Sequence, residues 1–236
     1  NKIKSFLGLN IITRILHQSL EIEWAHVYHD SIRDKPYLQN LSLNIGRWAG
    51  NYAFFYLLNR ILFETKPKRI LELGLGESSK LISVYIENIL VNSEHLIFEH
   101  NLEWIENFNS RFKLSNGSKI LNSELSYESI NGYSVCSYKD FNSIVDGTFD
   151  LYIIDGPFGS SRFSRFDIVS QLDKLESKDD FIMIFDDTDR FGESETANYI
   201  IKYFKSKEIT IFTASFVGNK SLTVIVTEKY RFVTSY

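Results

Sequence analysis

The chain has 236 residues, 44% of them apolar, which is enough to fill the core of one sizeable α/β domain. A formal charge of −4 leaves no basic footprint for nucleic acid. The single cysteine, Cys136, excludes an internal disulfide framework and a cysteine-based zinc cluster, and fits a reducing, cytoplasmic setting. No run approaches the roughly 18 apolar residues of a membrane span.

Residues 1–64 read as a helical extension packed on a domain formed by residues 65–236. The first 14 residues look superficially like a short secretory signal. Asn10 and Arg14 interrupt the apolar run, so an amphipathic helix packed on the domain is expected instead. Trp48, Tyr52, Phe55, Tyr56, Leu58 and Ile61 recur at mostly three- and four-residue spacings, which predicts a further helix. Pro67 ends it, because its ring cannot continue the hydrogen-bond ladder.

From Arg69 onward short apolar runs alternate with helical stretches. Strands are expected at 70–73, 95–98, 119–121, 149–154 and 181–185, with an added strand at 133–138. Helices are expected at 78–90, 102–112, 163–175 and 194–204. Two closing strands, 209–216 and 221–227, are joined through Gly218-Asn219, a hairpin signal. This order predicts a Rossmann-like, doubly wound, mostly parallel seven-stranded sheet with an antiparallel last strand. In such sheets ligands sit beyond the carboxyl ends of the strands, so the residues just after each strand carry the chemistry.

After the first strand comes Glu72-Leu-Gly74-Leu-Gly76-Glu-Ser78-Ser79. Alternate glycines allow a sharp turn and close approach of a ligand, and the serines suit the start of a helix. A tight strand-to-helix turn is the plainer reading of two glycines alone. Ser79 stands where a dinucleotide fingerprint has its third glycine, which disfavours a pyrophosphate and a nicotinamide-dependent oxidoreductase. Glu72 would repel a pyrophosphate but suits an ammonium group. Glu99, directly after the second strand, is placed to accept hydrogen bonds from ribose hydroxyls, with His100 beside it.

Asp155 follows the fourth main strand, and Asp186 and Asp187 follow the fifth. Three carboxylates at two strand mouths repel one another unless a divalent cation, a shared proton or an arginine relieves them. Oxygen ligands suit Mg²⁺ or Mn²⁺. The plainer reading makes one Asp a helix cap and pairs another with Arg190. Arg162 and Arg165 have three readings: grip on an anionic acceptor, neutralisation of the aspartates, or solvation. His26 and His29, three apart on a helix, lack a third ligand and read as surface or packing residues.

On these motifs the chain resembles a class I S-adenosylmethionine-dependent methyltransferase over roughly residues 45–227. Residues 70–79 are similar to that family's first motif, residues 98–104 to its second, and Asp155-Gly-Pro and Asp186-Asp187 to its acceptor-side motifs. More narrowly, the acids resemble those of macrocin-type sugar O-methyltransferases, which implies Asp155, Asp186 and Asp187 as metal ligands. Pro157 stands where that type has a second aspartate. Asp187-Thr-Asp189-Arg190 with Glu193 also resembles glucuronoxylan methyltransferases.

The resemblance implies S-adenosylmethionine as cofactor, held by Glu72, Gly74, Gly76, Ser78, Glu99 and His100. It implies a sugar or other small-molecule acceptor, with neither nucleic acid nor membrane as partner. Asp155 and Asp187 are the expected catalytic residues, with Asp187 as base if no metal binds. Trp104 and Tyr138 are placed near the adenosine. A cofactor-binding scaffold without turnover, or aminopropyl transfer, stays open.

Overall fold

The carboxyl edge of one sheet gathers most of the predicted residues, and strand register is what aligns them. A computed structural model describes residues 9–236. Its N-terminal part holds α1 (Leu9–Ser31), α2 (Pro36–Gln39) and α3 (Tyr52–Thr65). There follow β1 (Arg69–Leu73), α4 (Glu77–Asn88), β2 (Glu94–Glu99), α5 (Leu102–Arg111) and β3 (Ser118–Asn122). Next come β4 (Leu125–Ile130), β5 (Tyr133–Tyr138), α6 (Phe141–Ile144) and β6 (Leu151–Ile154). The chain then forms α7 (Val169–Leu172), β7 (Ile182–Phe185), α8 (Phe191–Ser206), β8 (Ile211–Val217) and β9 (Ser221–Thr227).

Seven strands form the main sheet in the order β3-β2-β1-β6-β7-β9-β8. The first five are parallel, and β9 runs antiparallel between β7 and β8, as the sequence predicts. β6 and β7 are buried along their whole length, which is why they read as unbroken apolar runs rather than alternating ones. Alternate residues feed two cores. Ile70, Ile153, Ile184 and Val224 face Phe54, Phe55, Leu58, Leu81 and Tyr85 from α3 and α4. Leu71, Leu73, Ile154, Met183 and Phe185 share the opposite core with Ile200 and Phe204 of α8.

Register then levels the strand ends. Leu73 pairs with Phe98 and with Ile154, and Ile154 pairs with Phe185. The next residues continue the ladder: Gly74 N–H donates to Phe98 O, Asp155 N–H to Leu73 O, and Asp186 N–H to Ile154 O. Glycine loop and acids therefore rise side by side from one edge.

Several local expectations are corrected. Residues 41–51 are not helical, and Trp48 is 96% exposed. Gly46 and Arg47 both take positive φ, which no helix tolerates, and Asn51 caps α3 by accepting from Phe54 N–H. Residues 133–138 pair with β4 in a separate hairpin outside the main sheet. Its turn, Asn131-Gly132, has both φ values positive, as a type I′ turn requires.

The helix expected at 163–175 shrinks to a 3₁₀ turn, Phe166–Ile168, and the four residues of α7, because Phe163 and Arg165 are left-handed. Near the N-terminus, Ile11, Ile12, Ile15 and Leu16 are exposed rather than packed. Trp24 and Tyr28 make aromatic contacts from α1 to Phe216 and Phe55, and Glu21 adds hydrogen bonds. The first eight residues of the expected amphipathic helix lie outside the described residues. No described helix is long and apolar enough to cross a membrane.

Candidate active site

The turn after β1 is set by Gly74 at φ +102, a conformation that side chains with a Cβ rarely adopt. Gly76 is different. Its backbone is extended, and a Cβ built there would meet nothing within 4 Å, so the glycine leaves a cradle that a side chain would fill. Gly76 also caps α4, and its N–H donates to Ser79 Oγ.

Glu99 ties this loop to the end of β2. Its Oε2 accepts from Leu75 N–H at 3.2 Å, and its Oε1 accepts from His100 N–H at 2.8 Å and Asn101 N–H at 2.9 Å. Asn101 in turn caps α5. Trp104, one turn into α5, donates its indole N–H to Leu75 O at 2.7 Å, so it braces the loop from outside. The His100 ring stands edge-on to Phe158 at 4.6 Å, and its Nδ1 lies 3.0 Å from Glu99 Oε1.

Glu72 sits differently from the sequence expectation. It is fully buried on the α4 face of the sheet, and accepts from Ser78 Oγ, from Ser79 Oγ at 2.7 Å and from His95 Nε2 at 2.9 Å. Its carboxylate therefore shapes the start of α4 and does not face an ammonium group. Ser78 is spent on the same contact. His95 was missed by sequence reasoning. Its cue lay in register: it sits opposite Ile70 and two residues before Ile97, the partner of Glu72, and so shares the Glu72 face of the sheet.

The second half of the site is the acidic centre. One oxygen each of Asp155, Asp186 and Asp187 lie within 4.8 Å of one another, the arrangement expected from the sequence. Asp187 takes φ +60, and that turn brings the carboxylates of two successive residues together. Gly156 lets the two loops touch: a Cβ there would stand 3.0 Å from Gly74 N and 2.7 Å from Tyr138 Oη.

Three cations enter this centre. Arg165, 97% buried, reaches Asp187 Oδ2 at 2.8 Å and Asp155 Oδ1 at 3.2 Å, and donates to the carbonyls of Ile154 and Asp186. Lys220 Nζ lies 3.0 Å from Asp186 Oδ2 and 3.1 Å from Asp187 Oδ1. Arg190 lies 3.0 Å from Asp187 Oδ2. Arg165 thus neutralises the aspartates, while Arg162 turns away to a bidentate pair with Glu195. Glu193 is buried and accepts from Ser164 Oγ. Lys220 was not foreseen, since in sequence it is one more residue of a hairpin turn.

These neighbours separate the three acids. Burial, then the Asp186 carboxylate, raises the Asp155 pKa to about 7. Burial also raises Asp186, against the pull of Lys220. Burial would raise Asp187 as well, but Lys220, Arg165 and Arg190 together hold it below its ordinary value. The expectation of a raised pKa at Asp187 is therefore corrected: the raised carboxyl with solvent access is Asp155, whose side chain is 23% exposed.

As it stands the centre does not fit a divalent ion. Such an ion needs oxygens at about 2.0–2.6 Å, and the Lys220 ammonium already occupies two of the three carboxylates. His26 and His29 lie exposed on α1, and the three aspartates are the only acid or histidine cluster of metal-binding geometry among the described residues.

No protein-family model and no curated protein matches the chain. Solved structures do. The O-methyltransferase TomG from Streptomyces achromogenes, involved in tomaymycin synthesis and solved with SAM, is 12% identical, with 91% of this chain and 98% of that chain covered at a TM-score of 0.55. Cofactor-bound Rv0187 from MTB is 10% identical, covers 95% of each chain and gives 0.52. An O-methyltransferase from Bacillus cereus in complex with SAH is 11% identical, covering 86% of this chain and 91% of that chain at 0.50. The chain has the fold of the class I S-adenosylmethionine-dependent methyltransferases.

Proposed function

We propose that this protein is an S-adenosylmethionine-dependent O-methyltransferase acting on a hydroxyl of a sugar or another small metabolite. The observation that carries the reading is the Glu99 carboxylate, locked by three backbone N–H groups beside the open cradle at Gly76. A carboxylate so oriented has acceptor capacity left for a vicinal diol, and a loop free of side chains leaves room for the rest of a nucleoside. His100 and Phe158 line the way toward the base.

When bound, S-adenosylmethionine supplies a methyl group already activated as a sulfonium. The chain's own task is to align the acceptor and remove its proton. Asp155 stands at the mouth of β6, next to Gly74 through Gly156, with a pKa near neutrality. It would take the proton of the acceptor hydroxyl, whose oxygen would receive the methyl group that bound S-adenosylmethionine supplies. Asp187, held ionised by three cations, orients rather than accepts.

Calorimetry with S-adenosylhomocysteine tests the binding half. The wild type should bind, and Glu99→Ala should weaken binding by roughly ten- to a hundredfold, as expected for losing charge-assisted hydrogen bonds. A folded wild type that gives no heat overturns the reading.

A further inference from the structure

We propose that the Lys220 ammonium is the resident cation of the acidic centre, so that this site works without a divalent metal. The inference deepens the acceptor-side reading above, but its test needs neither a methyl donor nor an acceptor.

Three observations lead to it. First, the cation places are taken. Four carboxylates, Asp155, Asp186, Asp187 and Glu193, face three cations, Arg165, Lys220 and Arg190, at 2.8–3.8 Å. A divalent ion added to this set would leave a buried excess of positive charge, which is costly away from water.

Second, Lys220 is a placed residue rather than a stray surface lysine. Its carbonyl accepts from Asn51 Nδ2 at 3.0 Å and from Gly218 N–H at 2.9 Å. The residues on either side are pinned as well. Asn219 N–H donates to Glu21 Oε2 at 2.9 Å, and Ser221 N–H donates to Asp189 Oδ1 at 2.9 Å. Glu21 also accepts from Tyr52 N–H, and Trp24 Nε1 donates to Val217 O, so α1 and the start of α3 clamp the hairpin that carries the lysine. A Cβ at Gly218 would stand 2.3 Å from Glu21 Oε2, a fit that depends on that clamp.

Third, the side chain is only 16% exposed and its target, Asp186, is fully buried, so the pair is shielded from water. The ammonium donates to Asp186 Oδ2 and stands 3.1 Å from Asp187 Oδ1, while Asp186 Oδ1 and Asp187 Oδ1 accept no hydrogen bond. An ammonium at this point does what a divalent ion does elsewhere: it offsets carboxylate repulsion and stabilises negative charge developing on an acceptor oxygen.

The test is Mn²⁺ binding to the full chain, followed by electron paramagnetic resonance. Wild type should leave Mn²⁺ free, and its melting temperature should be the same with EDTA as with Mg²⁺. Lys220→Met, which keeps length and removes charge, should gain one Mn²⁺ site, tightened by at least roughly a hundredfold over wild type. Adding Asp186→Asn should abolish that site. Stoichiometric Mn²⁺ binding by the wild type overturns the proposal, and so does a folded Lys220→Met that stays metal-free. Should Lys220→Met not fold, Lys220→Arg decides: it must fold, leave Mn²⁺ free and melt alike with EDTA and Mg²⁺, and metal binding by it refutes the idea. S-adenosylhomocysteine binding is measured separately, so failure here leaves the nucleoside reading intact.

Discussion

The glycine loop and the acidic centre sit side by side on one sheet edge, yet they restrain their carboxylates by opposite means. Glu99 is held by neutral donors, the backbone N–H groups of residues 75, 100 and 101, and Glu72 by serine hydroxyls and the His95 ring. All of those donors fall between residues 72 and 101, inside one strand-helix-strand unit. Asp155, Asp186 and Asp187 are held by full positive charges brought from residues 165, 190 and 220. A neutral cradle leaves a carboxylate's charge available to a ligand. A ring of cations instead tunes which carboxyl can take a proton.

If that contrast is right, the largest effect belongs to the one acid the cations leave near neutrality. Asp155→Asn should lower kcat by about 10²–10⁴, the usual worth of a positioned base, with S-adenosylhomocysteine affinity unchanged within about twofold by calorimetry. The wild-type kcat/KM should rise with pH, about tenfold per unit below pH 7, and level off above it, because the base must be deprotonated and its pKa is about 7. A profile already flat from pH 5 upward would transfer the role to another group.

Arg165 comes next. Replacing it by methionine strips a buried counter-charge from Asp155 and Asp187 and should cost about 3–5 kcal/mol in urea unfolding. Glu99→Ala tests the other region. Its loss in folding should be smaller, about 1–2 kcal/mol, since neutral N–H groups at the loop can turn to water. If Glu99→Ala proved the more destabilising of the two, the contrast between neutral and charged restraint would be wrong.

The two regions also differ in how much of them could be read from the chain. Gly74, Gly76 and Glu99 were legible because a single strand-helix-strand unit fixes their relation, and residue spacing reports it. The acids were legible one strand at a time, since Asp155 and Asp186 each directly follow an apolar run. Their cations were legible only in part: neutralisation by Arg165 and the pairing of an aspartate with Arg190 were among the readings, and Lys220 was not. Arg165 acts through a left-handed backbone that ended the helix expected there, and Lys220 reaches the centre only because β9 inserts between β7 and β8. Glu72 was legible as a strand-end acid but not in its direction, which the alternation of β1 turns toward α4 and His95. The hairpin partner β4 was missed although Asn131-Gly132 announces its turn, because only β5 has the apolar pattern of a strand.

The last predicted effect lies beside that hairpin and isolates burial without either kind of restraint. Asp167 is 8% exposed; its Oδ1 accepts from Tyr138 N–H, and its Oδ2 has no partner. Burial outweighs the backbone hydrogen bonds and raises its pKa to about 7. The folded protein thus binds a proton that the unfolded chain releases above about pH 4, so this group contributes a loss of stability as pH rises from about 4 to 7. Asp167→Asn keeps the acceptor for Tyr138 and cannot ionise. It should match the wild type near pH 4 and exceed it by up to about 4 kcal/mol at pH 8, read as the difference between the two proteins so that Asp155 and Asp186 cancel. Equal stability of the two at pH 8 would mean that Asp167 ionises freely, and that the hairpin does not shield it from water.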